Sequence, residues 1–124
     1  MKKLGCEICY RSIPSIREGR IWISYVRIEA RERELGAWRE ANPLTPMSTV
    51  TVDQIMQFPA LIQWVWGHAD CPDPDGDSLY WIEAARFNSV PKALDWTLHL
   101  MGKSWIQHTD WVALIRRLHS VPYA

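Results

Sequence analysis

The sequence predicts an α+β fold, in which a small antiparallel sheet of three to four strands is followed by two C-terminal helices packed on one of its faces. Two observations support this class. Short runs rich in β-branched and aromatic residues, bounded by turn residues, are typical of strands and lie in the first two thirds of the chain. Two later segments begin with capping residues and carry apolar residues at helical spacing.

The strands are expected near residues 20–28, 61–67 and 78–87, with a short fourth strand as an option near 10–13. The first run has apolar side chains on both faces, which predicts a central place in the sheet. The highly charged segment 29–41 is expected to be a surface helix or an ordered loop, because charges of opposite sign lie four residues apart in it.

Capping residues predict three further helices. Residues 51–54 match a capping box, which predicts a short helix over 52–57. Ser89 and Thr109 are expected to cap the two C-terminal helices, the first of which should end at Gly102. Apolar residues at helical spacing are expected to face the core in both: Leu94, Leu98 and Met101 in the first, and Val112, Ile115 and Leu118 in the second.

Length and composition favour one domain. The chain has 124 residues, of which 48% are hydrophobic and 23% charged, and this balance suits a single globular domain over 1–124, stabilised by zinc. Lys plus Arg and Asp plus Glu both number 14, so the net charge is zero, which argues against binding nucleic acid through bulk charge. The sequence shows neither an apolar run near the roughly 20 residues of a membrane span nor a secretory signal. We therefore expect a cytoplasmic protein.

Two short pairs of metal-ligand residues form the most informative motif. Two residues separate Cys6 from Cys9, and two separate His68 from Cys71; these pairs contain all three cysteines of the chain. A gap of two residues lets one tight turn present both donor atoms to the same ion, so two turns supply the four ligands of a tetrahedral Zn²⁺. Four protein ligands leave no position for water, which predicts a structural zinc ion.

Other interpretations of these residues stay open at the level of sequence. Cys6 and Cys9 have the spacing of a redox pair, although such pairs usually follow a strand and open a helix. The cysteines can also be ordinary core residues, with His68 in a loop. An acidic loop is a weaker candidate, for Ca²⁺, because prolines interrupt it and Ala84 stands where an EF-hand has glutamate; its carboxylates are Asp70, Asp73, Asp75 and Asp77.

The preferred functional prediction is a non-enzymatic interaction module that binds a protein partner. The metal site is filled by protein ligands, and the sequence carries no recognisable catalytic constellation. Tryptophan is enriched at interface hot spots, and this chain contains eight tryptophans. The residues expected to form an exposed partner-binding patch are Trp22, Trp38 and Trp105.

Two alternative functions compete with this prediction. The first is a nucleic-acid-binding zinc module, in which tryptophans would stack on the bases of a single strand. Its basic residues would form two edges: Arg11, Arg17 and Arg20 near the first cysteine pair, and Arg116 with Arg117 near the C-terminus. The second is a metal-dependent enzyme, which would require an open coordination position on the ion.

The order of motifs resembles that of small uncharacterised zinc-knuckle proteins of actinobacteria and their phages. The resemblance covers mainly residues 60–115 and the N-terminal cysteine pair. It lies in the two ligand pairs, an Asp-Pro-Asp turn, Tyr80-Trp81-Ile82-Glu83, Leu98-His99-Leu100-Met101 and Thr109-Asp110-Trp111. The resemblance implies a phage or host accessory protein with the metal ligands Cys6, Cys9, His68 and Cys71. The fold also looks like a zinc ribbon or treble clef.

Overall fold

The structure is a computed structural model that describes residues 5–13, 18–43, 45, 47, 49–72 and 78–119. It has three strands, four α-helices and two short 3-10 turns in this part of the chain. In chain order the elements are β1 (Gly19–Ser24), α1 (Tyr25–Ala41), α2 (Val52–Met56), β2 (Val65–His68), β3 (Leu79–Glu83), a 3-10 turn (Ala84–Arg86), α3 (Val90–Met101), a second 3-10 turn (Ile106–His108) and α4 (Trp111–His119).

The three strands form one antiparallel sheet in the order β2-β1-β3. This confirms the predicted α+β class and the central position of the first strand. Ile21 of β1 lies opposite Trp66 of β2 and Ile82 of β3, and all three side chains are buried. Near the suggested fourth strand the described residues form only an isolated bridge between Gly5 and Ser12.

The first predicted strand is too long at its C-terminal end. The chain leaves the sheet at Ser24, whose Oγ accepts a hydrogen bond of 3.4 Å from the Arg27 backbone N–H and so caps α1. Residues 25–28 are β-branched, aromatic or long, which favours a strand locally. They form the first turn of a helix because the cap is present and because Ile28, Arg31 and Leu35 then share one buried face.

The other two strands are also shorter than predicted. β2 begins only at Val65; before it, Ile62 makes an isolated parallel bridge to Thr109. β3 ends at Glu83, where the chain turns into a 3-10 turn. The sheet is therefore small, and Trp64, just before β2, packs its ring against Trp111 of α4 instead of joining the strand.

The helix ends were predicted better than the helix faces. Ser89 and Gly102 cap α3 as expected, and the capping box of α2 is formed. The buried residues of α3 are Ala93 and Leu100, whereas the predicted stripe of Leu94, Leu98 and Met101 is exposed. In α4, Leu118 is buried and Ile115 half-buried as predicted, but Val112 is exposed and the other buried residues are Trp111 and Leu114.

Large aromatic side chains explain why the inward faces of α3 and α4 differ from the predicted ones. Trp111 takes the inward position at the start of α4, and its Nε1 donates a hydrogen bond of 2.9 Å to Thr97 Oγ1 of α3. This bond fixes the face of α3 that carries Ala93, Thr97 and Leu100 toward α4. The ring of Trp111 also packs edge-on against Trp64, with ring centroids 5.4 Å apart. None of the described helices is long and apolar enough to cross a membrane.

Candidate metal centre

The two predicted ligand pairs meet at one end of the sheet. β2 runs antiparallel to β1 and ends at His68, which lies opposite Gly19 at the start of β1. The turn that contains Cys6 and Cys9 docks on β2 through Glu7, whose backbone N–H donates to Trp66 O over 2.9 Å. The Glu7 carboxylate in turn accepts from the Trp66 backbone N–H over 3.2 Å. These bonds hold the N-terminal turn beside the end of β2.

The four ligand atoms form one compact cluster. The sulfurs of Cys6, Cys9 and Cys71 and a ring nitrogen of His68 all lie within 4.8 Å of one another. Cys6 Sγ is 3.8 Å from Cys71 Sγ, and His68 Nδ1 is 3.3 Å from Cys9 Sγ and 3.7 Å from Cys71 Sγ. A tetrahedral Zn²⁺ with Zn–S bonds of about 2.3 Å separates two sulfurs by about 3.8 Å. The four donor atoms are therefore close enough to hold one metal ion, and the distance between Cys6 and Cys71 matches tetrahedral zinc.

The cysteines are free thiols rather than a disulfide. A disulfide places its sulfurs about 2.05 Å apart, far closer than the 3.8 Å between Cys6 and Cys71. The redox-pair and ordinary-core interpretations both leave unexplained why three sulfurs and an imidazole nitrogen converge on one point. Of the four candidate ligands, Cys6 is buried, His68 and Cys71 are half-buried, and Cys9 is exposed.

Backbone amides stabilise a negative charge on Cys6. The N–H groups of Ile8, Cys9 and His68 lie 3.4–3.5 Å from its Sγ. Burial raises the pKa of Cys6, but the hydrogen bonds from these amides outweigh burial and lower the pKa to about 6. Cys6 is thus prepared as a thiolate, which is the form that binds metal.

Crowding has the opposite effect on Cys71. Burial, followed by the hydrogen bonds and the negative charges of Cys6 and Cys9, raises the pKa of Cys71 to about 11. Three thiolates this close repel one another unless a cation lies between them. A divalent cation at the centre of the cluster removes that repulsion, so the donor set fits the ion that its sequence pattern predicts.

His68 is held in the orientation that a metal ligand needs. Its Nε2 lies 3.1 Å from the carbonyl oxygen of Ser12. A carbonyl only accepts hydrogen bonds, so Nε2 carries the proton and Nδ1 keeps its lone pair toward the three sulfurs. Histidine ligands typically donate their second ring nitrogen to a carbonyl or carboxylate in this way.

The backbone around the cluster is closely fitted. A Cβ at Gly67 would lie 2.6 Å from Trp22 Cη2 and 3.3 Å from Cys6 Sγ, so only glycine fits there. Tyr10, directly after the first pair, has a φ of 62°. This left-handed residue closes the turn, because its N–H donates to Cys6 O over 3.0 Å while the Cys6 N–H donates to Arg11 O.

One side of the cluster opens to solvent. Cys9, His68 and Cys71 line a surface depression of about 560 Å³, whose charged residues are Arg11, Glu18 and Asp70. Asp70 is exposed, as expected for a solvated charge. The predicted acidic loop continues into residues 73–77, which lie outside the described residues. The Ca²⁺ hypothesis for this loop therefore stays a prediction.

The tryptophans predicted to bind a partner do not form an exposed patch. Trp22 is 0% exposed, because its ring packs against Gly67 and under the Arg20 guanidinium; the expectation of an exposed Trp22 is therefore wrong. Trp38 and Trp105 are half-buried. The exposed tryptophan is Trp81, at 51%. Its alternation with the buried Ile82 in β3 was the signal that the sequence offered for it.

The arginines of the two predicted basic edges lie in different surroundings in the described part of the chain. Arg20 Cζ lies over the rings of Trp22 and Trp81, 5.0 and 5.7 Å from their centroids, and Arg20 Nη2 donates to Cys71 O. Arg11 is exposed beside the metal cluster. Arg17 lies outside the described residues, and Arg116 and Arg117 are in the last turn of α4. The nucleic-acid alternative gains no support from this arrangement.

Comparisons with known proteins give no match: none with a family model, none with a curated protein and none with a solved structure. The resemblance to zinc-knuckle proteins of actinobacteria and phages therefore stays a prediction. What the protein does has to be inferred from the chemistry of its own residues.

Proposed function

We propose that Cys6, Cys9, His68 and Cys71 hold one structural Zn²⁺ and that the protein is a non-enzymatic module that binds a protein partner. The observation that carries the proposal is the convergence of these four donors within 4.8 Å of one another. Three soft sulfur donors and one imidazole select zinc over Ca²⁺ or Mg²⁺. When bound, zinc supplies the positive charge that keeps three adjacent thiolates together.

A structural role is favoured over a catalytic one by the number of ligands. Four protein donors complete a tetrahedral shell, so no position remains for a water molecule or a substrate atom. The ligands come from two distant places, since Cys6 and Cys71 are 65 positions apart. Metal binding would therefore close a long loop and fix the N-terminal turn against the end of β2, which converts binding free energy into folding free energy.

An exposed apolar face on α3 supports the proposed binding of a protein partner. Val90, Leu94, Leu98 and Met101, which we call the α3 stripe, are each 57–68% exposed. They follow one another at spacings of four, four and three residues, as an amphipathic helix requires for one continuous face. Contiguous exposed apolar patches of this kind mark interaction sites.

The groove beside the α3 stripe suits an amphipathic helix of the partner. Two depressions, of about 470 and 160 Å³, lie between α3 and α4 and share Thr97. Their apolar walls include Met101 and Val112 at one end and Val90 and Leu94 at the other. A partner helix would bury its apolar face along this groove, which is a common mode of peptide recognition.

The metal proposal is tested by composition and spectroscopy of the purified protein. Protein expressed with zinc and kept reduced should contain one zinc ion per chain, and X-ray absorption should show three sulfur neighbours and one nitrogen. The Cys71→Ser variant should lose one sulfur neighbour and bind zinc more weakly. Protein that carries no zinc, or a shell with oxygen from water as the fourth neighbour, would overturn the structural assignment.

The partner proposal is tested with two aspartate variants of equal exposure. Leu98→Asp changes the α3 stripe, whereas Ile55→Asp changes an exposed residue of α2; the two side chains are 61% and 60% exposed. Cross-linking in extracts of the natural host should capture a partner with wild type and Ile55→Asp but not with Leu98→Asp. Capture that is equal for all three proteins, or that fails with wild type, would contradict the proposal.

A further inference from the structure

We propose that a second site, the cavity between α1, α2 and the segment 58–61, binds a small organic monocarboxylate with an apolar body. The cavity measures about 520 Å³, within the usual range of small-molecule sites. We call it the Arg31 cavity, after the charged residue in its wall. Its lining residues are Arg31, Trp38, Val50, Ile55, Phe58, Pro59, Ala60 and Leu61.

Arg31 gives the cavity a buried positive charge. The residue is only 4% exposed, and its Nε and Nη2 donate to the carbonyl oxygens of Ala60 and Pro59 over 3.0 and 3.2 Å. Its Nη1 lies 2.7 Å from His108 Nδ1. Burial and then Arg31 lower the pKa of His108, so the imidazole is neutral and accepts this hydrogen bond. All three partners are therefore uncharged.

In the part of the chain that the structure describes, acidic side chains act on Arg31 only from beyond ion-pair distance. None of the described carboxylates lies within the 4.0 Å of an ion pair with it. Burial and then the charge of Arg39 lower the pKa of Arg31, with Glu34 as the opposing influence. A guanidinium has five N–H groups, and the three bonds leave one N–H on each Nη atom for another acceptor. Buried charges usually have a partner of opposite charge, and a carboxylate matches a guanidinium.

The walls of the cavity suit an apolar ligand body. Phe58 packs edge-on against Trp38, with ring centroids 5.0 Å apart, and its ring centroid is 5.8 Å from Arg31 Cζ. Ile55 and Val50 complete the apolar wall. Arg31 is the single charged residue among the lining residues. This set favours one negative charge at one end of the ligand and disfavours dianions and zwitterions.

Contacts between α1 and α2 hold the walls of the cavity in place. The Trp38 indole N–H donates to Gln54 O over 2.9 Å, which joins α1 to α2. Gln54 also takes part in the capping box that fixes the start of α2. A preformed site costs little reorganisation on binding, so even a small carboxylate should bind measurably.

The test compares an acid with its uncharged analogue. Uniformly ¹⁵N-labelled protein is titrated near neutral pH with 4-phenylbutanoate, with 4-phenylbutan-1-ol and with acetate, and amide shifts are followed by NMR. A charge-assisted hydrogen bond predicts that 4-phenylbutanoate binds about tenfold to hundredfold more tightly than the alcohol. The shifts should concentrate on α1, α2 and residues 58–61, and acetate should bind more weakly than 4-phenylbutanoate.

Variants distinguish binding in the Arg31 cavity from non-specific binding to the protein surface. Arg31→Gln should abolish the preference for 4-phenylbutanoate over the alcohol. If the Arg31→Gln variant does not fold, Ile55→Asp tests the same site through an exposed residue of the cavity wall. Ile55→Asp brings a carboxylate to the cavity and should weaken 4-phenylbutanoate at least tenfold. Val26→Asp, at a residue of matched exposure outside both the cavity lining and the α3 stripe, should leave binding unchanged. Equal affinities for acid and alcohol, shifts centred elsewhere, no binding at all, or equal losses in the two aspartate variants would overturn the proposal.

Discussion

At the scale of single residues, Tyr10 shows how local strain serves the metal cluster. Its positive φ of 62° is needed to close the turn behind Cys9, and a non-glycine residue in this region costs roughly 1–2 kcal/mol. The side chain is exposed. Sequence patterns do not indicate this strain, because tyrosine is not a residue that marks left-handed turns.

Replacing Tyr10 by glycine should therefore stabilise the zinc-loaded protein. We expect Tyr10→Gly to raise the free energy of unfolding by about 1 kcal/mol, since glycine adopts a positive φ without the Cβ penalty. Tyr10→Ala is the control, because it removes the ring but keeps the Cβ. Denaturant unfolding measures both. A gain in the alanine variant as large as that in the glycine variant would mean that the ring, and not the backbone, is the cause.

His108 predicts a pH dependence of stability. It is buried between Arg31, at 2.7 Å, and Glu32, at 3.5 Å. Burial and then the charge of Arg31 lower its pKa in the folded protein, against the opposing influence of Glu32. The folded state therefore binds this proton less readily than the unfolded state. The stability that the neutral His108 side chain contributes is fully present above the unfolded pKa of about 6.5 and is lost as the pH falls below that value.

The pH dependence is measured as the difference in stability between wild type and a His108 variant, because zinc ligands also take up protons in acid. The free energy of unfolding is measured for wild type and for His108→Gln from about pH 7.5 to about pH 5.5. This range extends about one unit either side of the ordinary histidine pKa of about 6.5. Wild type should lose more stability toward acid than the variant, whose amide does not titrate. Parallel pH profiles would show that His108 does not carry this dependence.

At the scale of elements, the predictions succeeded where one local signal is sufficient. The capping box at Thr51, the cap at Ser89 and the end at Gly102 are all present, because a cap depends on a few neighbouring atoms. The faces of α3 and α4 were predicted less well. Periodicity shows that α3 has an apolar stripe but not whether the stripe faces the core. Here the buried residues of α3 are Ala93 and Leu100 instead.

The packing of β2 against the metal turn depends on Gly67. A Cβ there would lie 2.6 Å from the Trp22 ring and 3.3 Å from Cys6 Sγ. Gly67→Ala should therefore destabilise the protein by about 1–3 kcal/mol through overpacking, and it should also weaken zinc binding by displacing Cys6. Gly5→Ala is the matched control, since a Cβ at Gly5 meets no atom within 4 Å. Unfolding and zinc-competition titrations with similar losses in both variants would contradict this account.

At the scale of the whole molecule, the metal site was the most predictable feature and the surface the least. Ligand spacing constrains chemistry strongly, so the pairs at Cys6 and His68 identified all four converging residues. The exposure of aromatic residues depends on the complete fold. Trp22 and Trp81 are opposite each other in the sheet, yet one is buried and the other half exposed. The Arg31 cavity was also missed, because its lining of apolar residues and one arginine has no spacing that marks a ligand site.

The most direct test of the central claim is the thermal unfolding of reduced protein with zinc bound and after removal of zinc by a strong chelator. If zinc fixes the N-terminal turn to the end of β2, the chelated protein should melt at a much lower temperature, and added zinc should restore the original midpoint. Equal melting temperatures with and without the chelator, in protein shown to have lost its zinc, would contradict the claim that this ion stabilises the fold.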